Sequence, residues 1–292
     1  MNMNVCSMQK GLFLFLAFGI TSIAQGQNLA HYLSIHKSIR TAQLDTARLG
    51  LSNQFASLLE EAFTENGCTR ESLKPLEGHL GIATAGEGEE FFAIITWNVE
   101  LTNKMQAYDG IVVWNESQHV QRVIRLHAEP SDEASKAISN SERYSAENWP
   151  GAVYYNAVLT YKGKKPIYTL LGWDGADDIR NRKVIEPLTI QNDEVKFGAP
   201  VILSGMGTTK RIILEYAEEV SVLLKWRPDM EMIVMDHLSP PQQFLQGQTS
   251  FYGPDMTYDA LTWDKNKWVL LENIEVRDLD QTKPWIKPTP VQ

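Results

Sequence analysis

Residues 153–178, VYYNAVLTYKGKKPIYTLLGWDGADD, constrain the fold more than any other stretch of the chain. Val153, Tyr155, Ala157, Leu159 and Tyr161 alternate with Tyr154, Asn156, Val158 and Thr160. A period of two marks a β-strand, and the more apolar first set is expected to face a core. Lys162-Gly163-Lys164-Lys165 supplies a turn, with Gly163 free to take a positive φ and the lysines kept in water. The return strand, 167–173, is apolar on both faces apart from Thr169 and Gly172, as a central strand would be. A two-stranded hairpin is marginal alone, so further strands must cover it.

Those strands are legible on both sides. From about 31 to 66 the pattern is helical, with Leu44, Leu51, Phe55, Leu58, Leu59 and Phe63 on one stripe and Asn66-Gly67 as the stop. After Pro75 the period changes to two. Residues 80–85, 91–101, 105–114 and 119–128 read as four strands joined by short connections, which makes them antiparallel neighbours. A polar segment, 130–150, interrupts the pattern and has room for a short helix from Ser131. Strands then resume at 184–190, 195–202, 212–216, 220–226, 230–236, 258–263 and 268–274, with Asn192-Asp193, Arg227-Pro228-Asp229-Met230 and Asp264-Lys265-Asn266-Lys267 as turns. The expected fold is mainly β, with antiparallel meander sheets in a sandwich, barrel or propeller-like arrangement and an N-terminal helical segment.

The ends of the chain read differently. Lys10, the apolar run 11–20 and the small and polar residues 21–26 follow the order of a secretory signal peptide, and the run is too short to span a bilayer. Cleavage fits before Gln27, or alternatively after Ala24. The expected division is therefore a signal peptide at 1–26, a helical segment at 27–78, a first antiparallel meander at 79–129, a polar linker at 130–150, a second antiparallel β region at 151–277 and a proline-rich tail at 278–292.

Loss of Lys10 with the leader moves the formal charge from −9 to −10. That balance argues against nucleic acid as a partner, and no segment of the mature chain reads as membrane-inserting. Cys6 leaves with the leader, so Cys68 alone remains; an internal disulfide and a thiolate zinc site are excluded.

Residues 168–173, 183–188, Phe197-Gly198-Ala199-Pro200, 210–216, 233–240 and 251–260 (FYGPDMTYDA) together resemble an uncharacterised family of exported Bacteroidetes proteins. The resemblance covers roughly the C-terminal half. It implies a periplasmic or secreted location in the envelope of a Gram-negative cell, and it carries over no catalytic residue because that family has no assigned activity.

Two loops hold residues that could carry chemistry. Asp174, Asp177 and Asp178 lie beside Gly175, and several oxygen ligands at once are what Ca²⁺ requires; the same composition also fits a solvated turn. Asp255 and Asp259 lie near Tyr258, and Trp173 adjoins Asp174, so rings and carboxylates are available to hold a sugar or to hydrolyse one. Nucleophile signatures are missing. Ser204 lacks the glycine two residues ahead that a nucleophile elbow needs, and the histidines show no zinc-ligand spacing. Asp236 and His237, adjacent on a strand, point to opposite faces and do not pair with each other. No cofactor other than calcium is expected. The expectation is a non-catalytic binding or assembly factor of the cell envelope, with an unidentified envelope protein or glycan as partner; the alternative is a carbohydrate-binding protein or hydrolase using the loop carboxylates and aromatics.

Overall fold

The computed structural model describes residues 31–117, 120–128, 138–204 and 207–275. The leader at 1–26, the helix start near Ser131, Gly205-Met206 and the tail at 278–292 lie outside the described residues.

The chain begins with a helix, α1 (31–41), followed by α2 (Asp45–Asn66). The helical segment expected over 31–66 is present as these two helices, which part at 42–44, where Asp45 accepts hydrogen bonds from the backbone and hydroxyl of Thr102. Gly67, at φ 75°, ends α2, and a single turn, α3 (Arg70–Leu73), follows with Thr69 and Ser72 capping each other. A four-stranded antiparallel sheet comes next: β1 (Gly81–Ala85), β2 (Phe92–Glu100), β3 (Gln106–Ser117) and β4 (Val120–His127).

The second sheet holds β5 (Tyr144–Ser145), β6 (Val153–Lys162), β7 (Lys165–Asp174), β8 (Arg180–Gln191) and β9 (Glu194–Phe197). The chain crosses to a third sheet for β10 (Ile202–Ser204) and β11 (Gly207–Thr209), then returns to pair β12 (Ile212–Ala217) with β8. It crosses once more for β13 (Leu224–Arg227), β14 (Met232–Ser239), β15 (Gly253–Asp264) and β16 (Lys267–Leu271). The ladders are antiparallel except for one parallel rung between β10 and β16.

Strand parity explains how these sheets stack. On β2, Ala93, Ile95, Trp97 and Val99 pack against Phe55, Leu59 and Phe63 of α2, while Phe92 and Ile94 point the other way, into a core shared with Tyr154, Tyr168, Leu170 and Leu188 of the second sheet. On β7, Tyr168 and Leu170 face that core, whereas Ile167 and Leu171 face Ile233, Leu261 and Trp268 of the third sheet. The molecule is thus a stack of helices, first sheet, second sheet and third sheet. Central strands buried on both sides lose the polar alternation of a half-exposed strand.

Several polar side chains inside the stack bond to one another, although Thr160 Oγ1 and Arg125 Nε are buried without a hydrogen-bond partner. Trp97 Nε1 donates to Ser52 Oγ at 2.8 Å, Ser52 donates to Asp109, and Arg125 Nη2 donates to Asp109 at 3.0 Å, which fixes α2 on the sheet. Along β1 and β6 the first two sheets meet so closely that a Cβ on Gly81 would lie 2.7 Å from the Tyr154 carbonyl oxygen.

Several expected boundaries shift for identifiable reasons. Val153, Ala157 and Leu159 of the expected inward face of β6 pack on the core, but a bulge between Tyr154 and Asn156 puts Tyr154 on that side and leaves Tyr155 outside. The strand expected at 195–202 is two strands, because Gly198 and Ala199 both donate to the Pro187 carbonyl and Pro200 has no N–H to continue a ladder. β8 begins four residues earlier than its apolar run. The described part of the polar segment, 138–150, buries Trp149 in the core between the first two sheets.

Candidate functional site

The residues singled out around Asp174 form a charge ladder. Register sets Asp174 directly opposite Arg182, and Arg182 directly opposite Glu215, across β7, β8 and β12. Arg182 Nη1 donates to Asp174 at 3.0 Å and its Nε to Glu215 at 2.7 Å; Arg180 donates to Glu215 at 3.3 Å and through Nε to Asp177 at 3.0 Å. Tyr108 and the Ala176 amide donate to the remaining Asp174 oxygen, at 2.7 and 3.0 Å. Burial and then the Asp174 charge push the Tyr108 hydroxyl well above its ordinary pKa. Burial acts to raise the Glu215 carboxyl, but bonds from Thr249 and Arg182 outweigh it and hold the group below its usual range.

Asp174 and Asp177 therefore spend their oxygens on arginines and amides, while Asp178 is exposed. Among the described residues no group of three or more His, Cys, Asp or Glu side chains is arranged to hold a metal ion. Trp173 is half-buried and hydrogen-bonded to Tyr216.

The second group sits on β15. Asp259 is buried, with one oxygen 2.8 Å from His237 Nδ1 and the other accepting the Asn273 amide at 3.1 Å. The bond to Asp259 raises the His237 pKa above its ordinary value; burial opposes it, and the charges of Asp259, Asp255 and Glu272 add to it. Asp255 is exposed and accepts the Thr257 amide and hydroxyl, and Tyr258 is half-buried opposite Asp236. The partner of His237 is thus Asp259, on the neighbouring strand, while Asp236 accepts the Leu223 amide. No hydroxyl or thiol is hydrogen-bonded to His237 among the described residues. Cys68 is buried, and that burial pushes its thiol up to about 12.

A site that sequence reading did not single out lies at the opposite end of the second sheet. Lys162 and Lys165 face each other at the β6–β7 turn, Thr189 is opposite Lys196 on β8 and β9, and Arg143 precedes β5, whose Ser145 also pairs with Lys196. Alternation places Lys162, Lys165, Ile167, Thr189, Gln191 and Lys196 on the one face that the third sheet covers. That cover ends where 198–201 crosses between the sheets, and a cleft of about 470 Å³ opens beside the crossing.

Arg143, Lys162, Lys165 and Lys196 line the cleft with Thr189 and Gln191, and no carboxylate among the described residues lines it. Lys196 pairs at 3.0 Å with Glu194, two residues earlier on the same face of β9; the other three cations have no carboxylate partner among the described residues. Gly198, at φ 86°, is required at the cleft's inner wall, since a Cβ there would lie 2.8 Å from Arg211 Nη2. Arg211 is itself fixed by a fully buried pair with Glu186, which also accepts the Tyr154 hydroxyl.

A second concavity, about 480 Å³, lies beside Cys68 and Arg70. Its polar groups bond to one another: Arg70 to Thr84 and Gly86, Asn115 to Gly88, and Gln121 to Cys68 and Asn115. Trp173, Asp174, Asp255, Tyr258 and Asp259 line neither opening. Among the described residues no helix is long and apolar enough to cross a membrane. No protein-family model, curated protein or solved structure matches the chain.

Proposed function

We propose that the chain is exported, loses its leader, and acts in the cell envelope as a non-catalytic binding factor whose ligand occupies the cleft beside 198–201. The observation that supports this reading is the character of that lining. It offers hydrogen-bond donors and positive charge gathered at strand ends, and among the described residues it contains no carboxylate, histidine or thiol to serve as an acid, base or nucleophile. Concave, largely pre-formed openings of a few hundred Å³ are where small ligands bind.

The test is retention of envelope components by the exported chain, isolated after cleavage and verified by N-terminal sequencing. The expected result is saturable capture of a component that is released unchanged in mass. Release of a cleaved or otherwise altered component, or retention of the leader, would overturn the reading. One observation favours a hydrolytic alternative, the His237–Asp259 pair, and the same mass measurement separates the two.

A further inference from the structure

Building on that binding role, we infer that the cleft takes a sugar carrying an anionic group, a uronate or a sugar phosphate. The argument begins with charge. The chain as a whole carries −9, yet this opening collects Arg143, Lys162, Lys165 and Lys196 from three separate segments, and no acidic side chain among the described residues lines it. Lys162 and Lys165 occupy directly opposite rungs, an arrangement that like charges destabilise. A bound oxyanion relieves that repulsion, and cations concentrated in a concavity attract it from solution. The Arg143 guanidinium suits a two-oxygen contact and the lysines act as point charges, so carboxylate and phosphate share the chemistry.

The rest of the lining suits the sugar body. Thr189 and Gln191 present a hydroxyl and an amide on the same strand face, each able to donate and to accept, as ring hydroxyls require. Ile167, Ala199 and Pro200 provide an apolar wall for carbon-bound hydrogens. The volume, about 470 Å³, lies within the range of small-ligand sites, about 300–1,000 Å³.

Titration calorimetry on the full mature chain, with digalacturonate, glucose 6-phosphate, cellobiose and inorganic phosphate as probes, tests the inference. One or both charged sugars should bind with 1:1 stoichiometry, and raising the salt from low to physiological strength should weaken binding several-fold. The double variant K162Q/K165Q should weaken it at least tenfold with a melting temperature no lower than wild type, and T189V should weaken it several-fold. Preference between the two charged sugars identifies the anion. Equal binding of cellobiose, or of inorganic phosphate alone, would overturn the inference, as would failure of both charged sugars to bind. In each of these cases capture of an unaltered envelope component would leave the binding role standing, whereas turnover of a probe would bring down that role as well.

Discussion

The two ends of the second sheet treat positive charge in opposite ways. At the end where β7 finishes and β8 begins, Arg180 and Arg182 are each bonded to carboxylates on both sides, and the ladder from Asp177 to Asp174 is closed. At the other end, Arg143, Lys162 and Lys165 stand around an opening with no carboxylate partner among the described residues. β7 and β8 run through both ends, but β12 flanks β8 at the first and β9 at the second, so the neighbouring strand decides whether a carboxylate such as Glu215 reaches the cations. The difference teaches that charge serving the fold is neutralised within it, while charge left open around a concavity is available to something outside.

The most severe way to break this contrast is to open the closed end. R182M leaves buried Asp174 without its cation and Glu215 with Arg180 alone, and loss of one partner from a buried pair costs about 3–5 kcal/mol. Urea denaturation should show that loss, and R211M should show one of similar size because Glu186 is fully buried. A wild-type midpoint in either variant would mean that those pairs contribute little.

Next in size is G198A, which joins the two kinds of region. A Cβ at φ 86° beside the fixed Arg211 guanidinium should destabilise by more than about 1 kcal/mol in the same assay. It should also weaken whatever the cleft binds.

Two histidines sharpen the contrast through pH. Pairing with Asp259 raises His237, so its stabilisation is fully present below the unfolded value, about 6.5, and is lost as the pH rises through the higher folded value. Burial, with the Arg40 and His79 charges adding to it, lowers His36 to about 4. Between about 6.5 and that value the unfolded chain binds the extra proton, so the His36 contribution falls as the pH drops. NMR titration of the two imidazoles should show midpoints displaced in opposite directions, and H237N should remove the alkaline component alone.

The smallest effects are expected at the open end and at the exposed loop. K162Q/K165Q and D178N should each leave stability within about 0.5 kcal/mol of wild type, since those side chains are exposed. A large loss in the lysine variant would show that its charges serve the fold after all.

How much of this was legible depends on distance along the chain. Period-two alternation located the strands of the first sheet, and apolarity on both faces of 167–173 marked a strand now found between two neighbours. The ladder was hidden because Arg182 and Glu215 meet only through β8–β12 register, which no local pattern encodes. For the same reason strand parity could separate His237 from Asp236 but could not name Asp259, on another strand, as its partner. The start of β8 was missed because its inward residues are arginines, which read as surface. The cleft had one available signal, lysines of matching parity at several strand ends, but a lysine-rich turn looks the same whether or not it borders a concavity.

The path of the backbone between the second and third sheets has a kinetic consequence. By leaving after β9, returning for β12 and leaving again, the chain laces the two together, so neither can be completed before the other has begun. Such long-range closure slows folding and makes it all-or-none over that region. A chain stopped after β11 would lack the strand that flanks the first half of β8, and no cut between 198 and 223 would release an autonomous half.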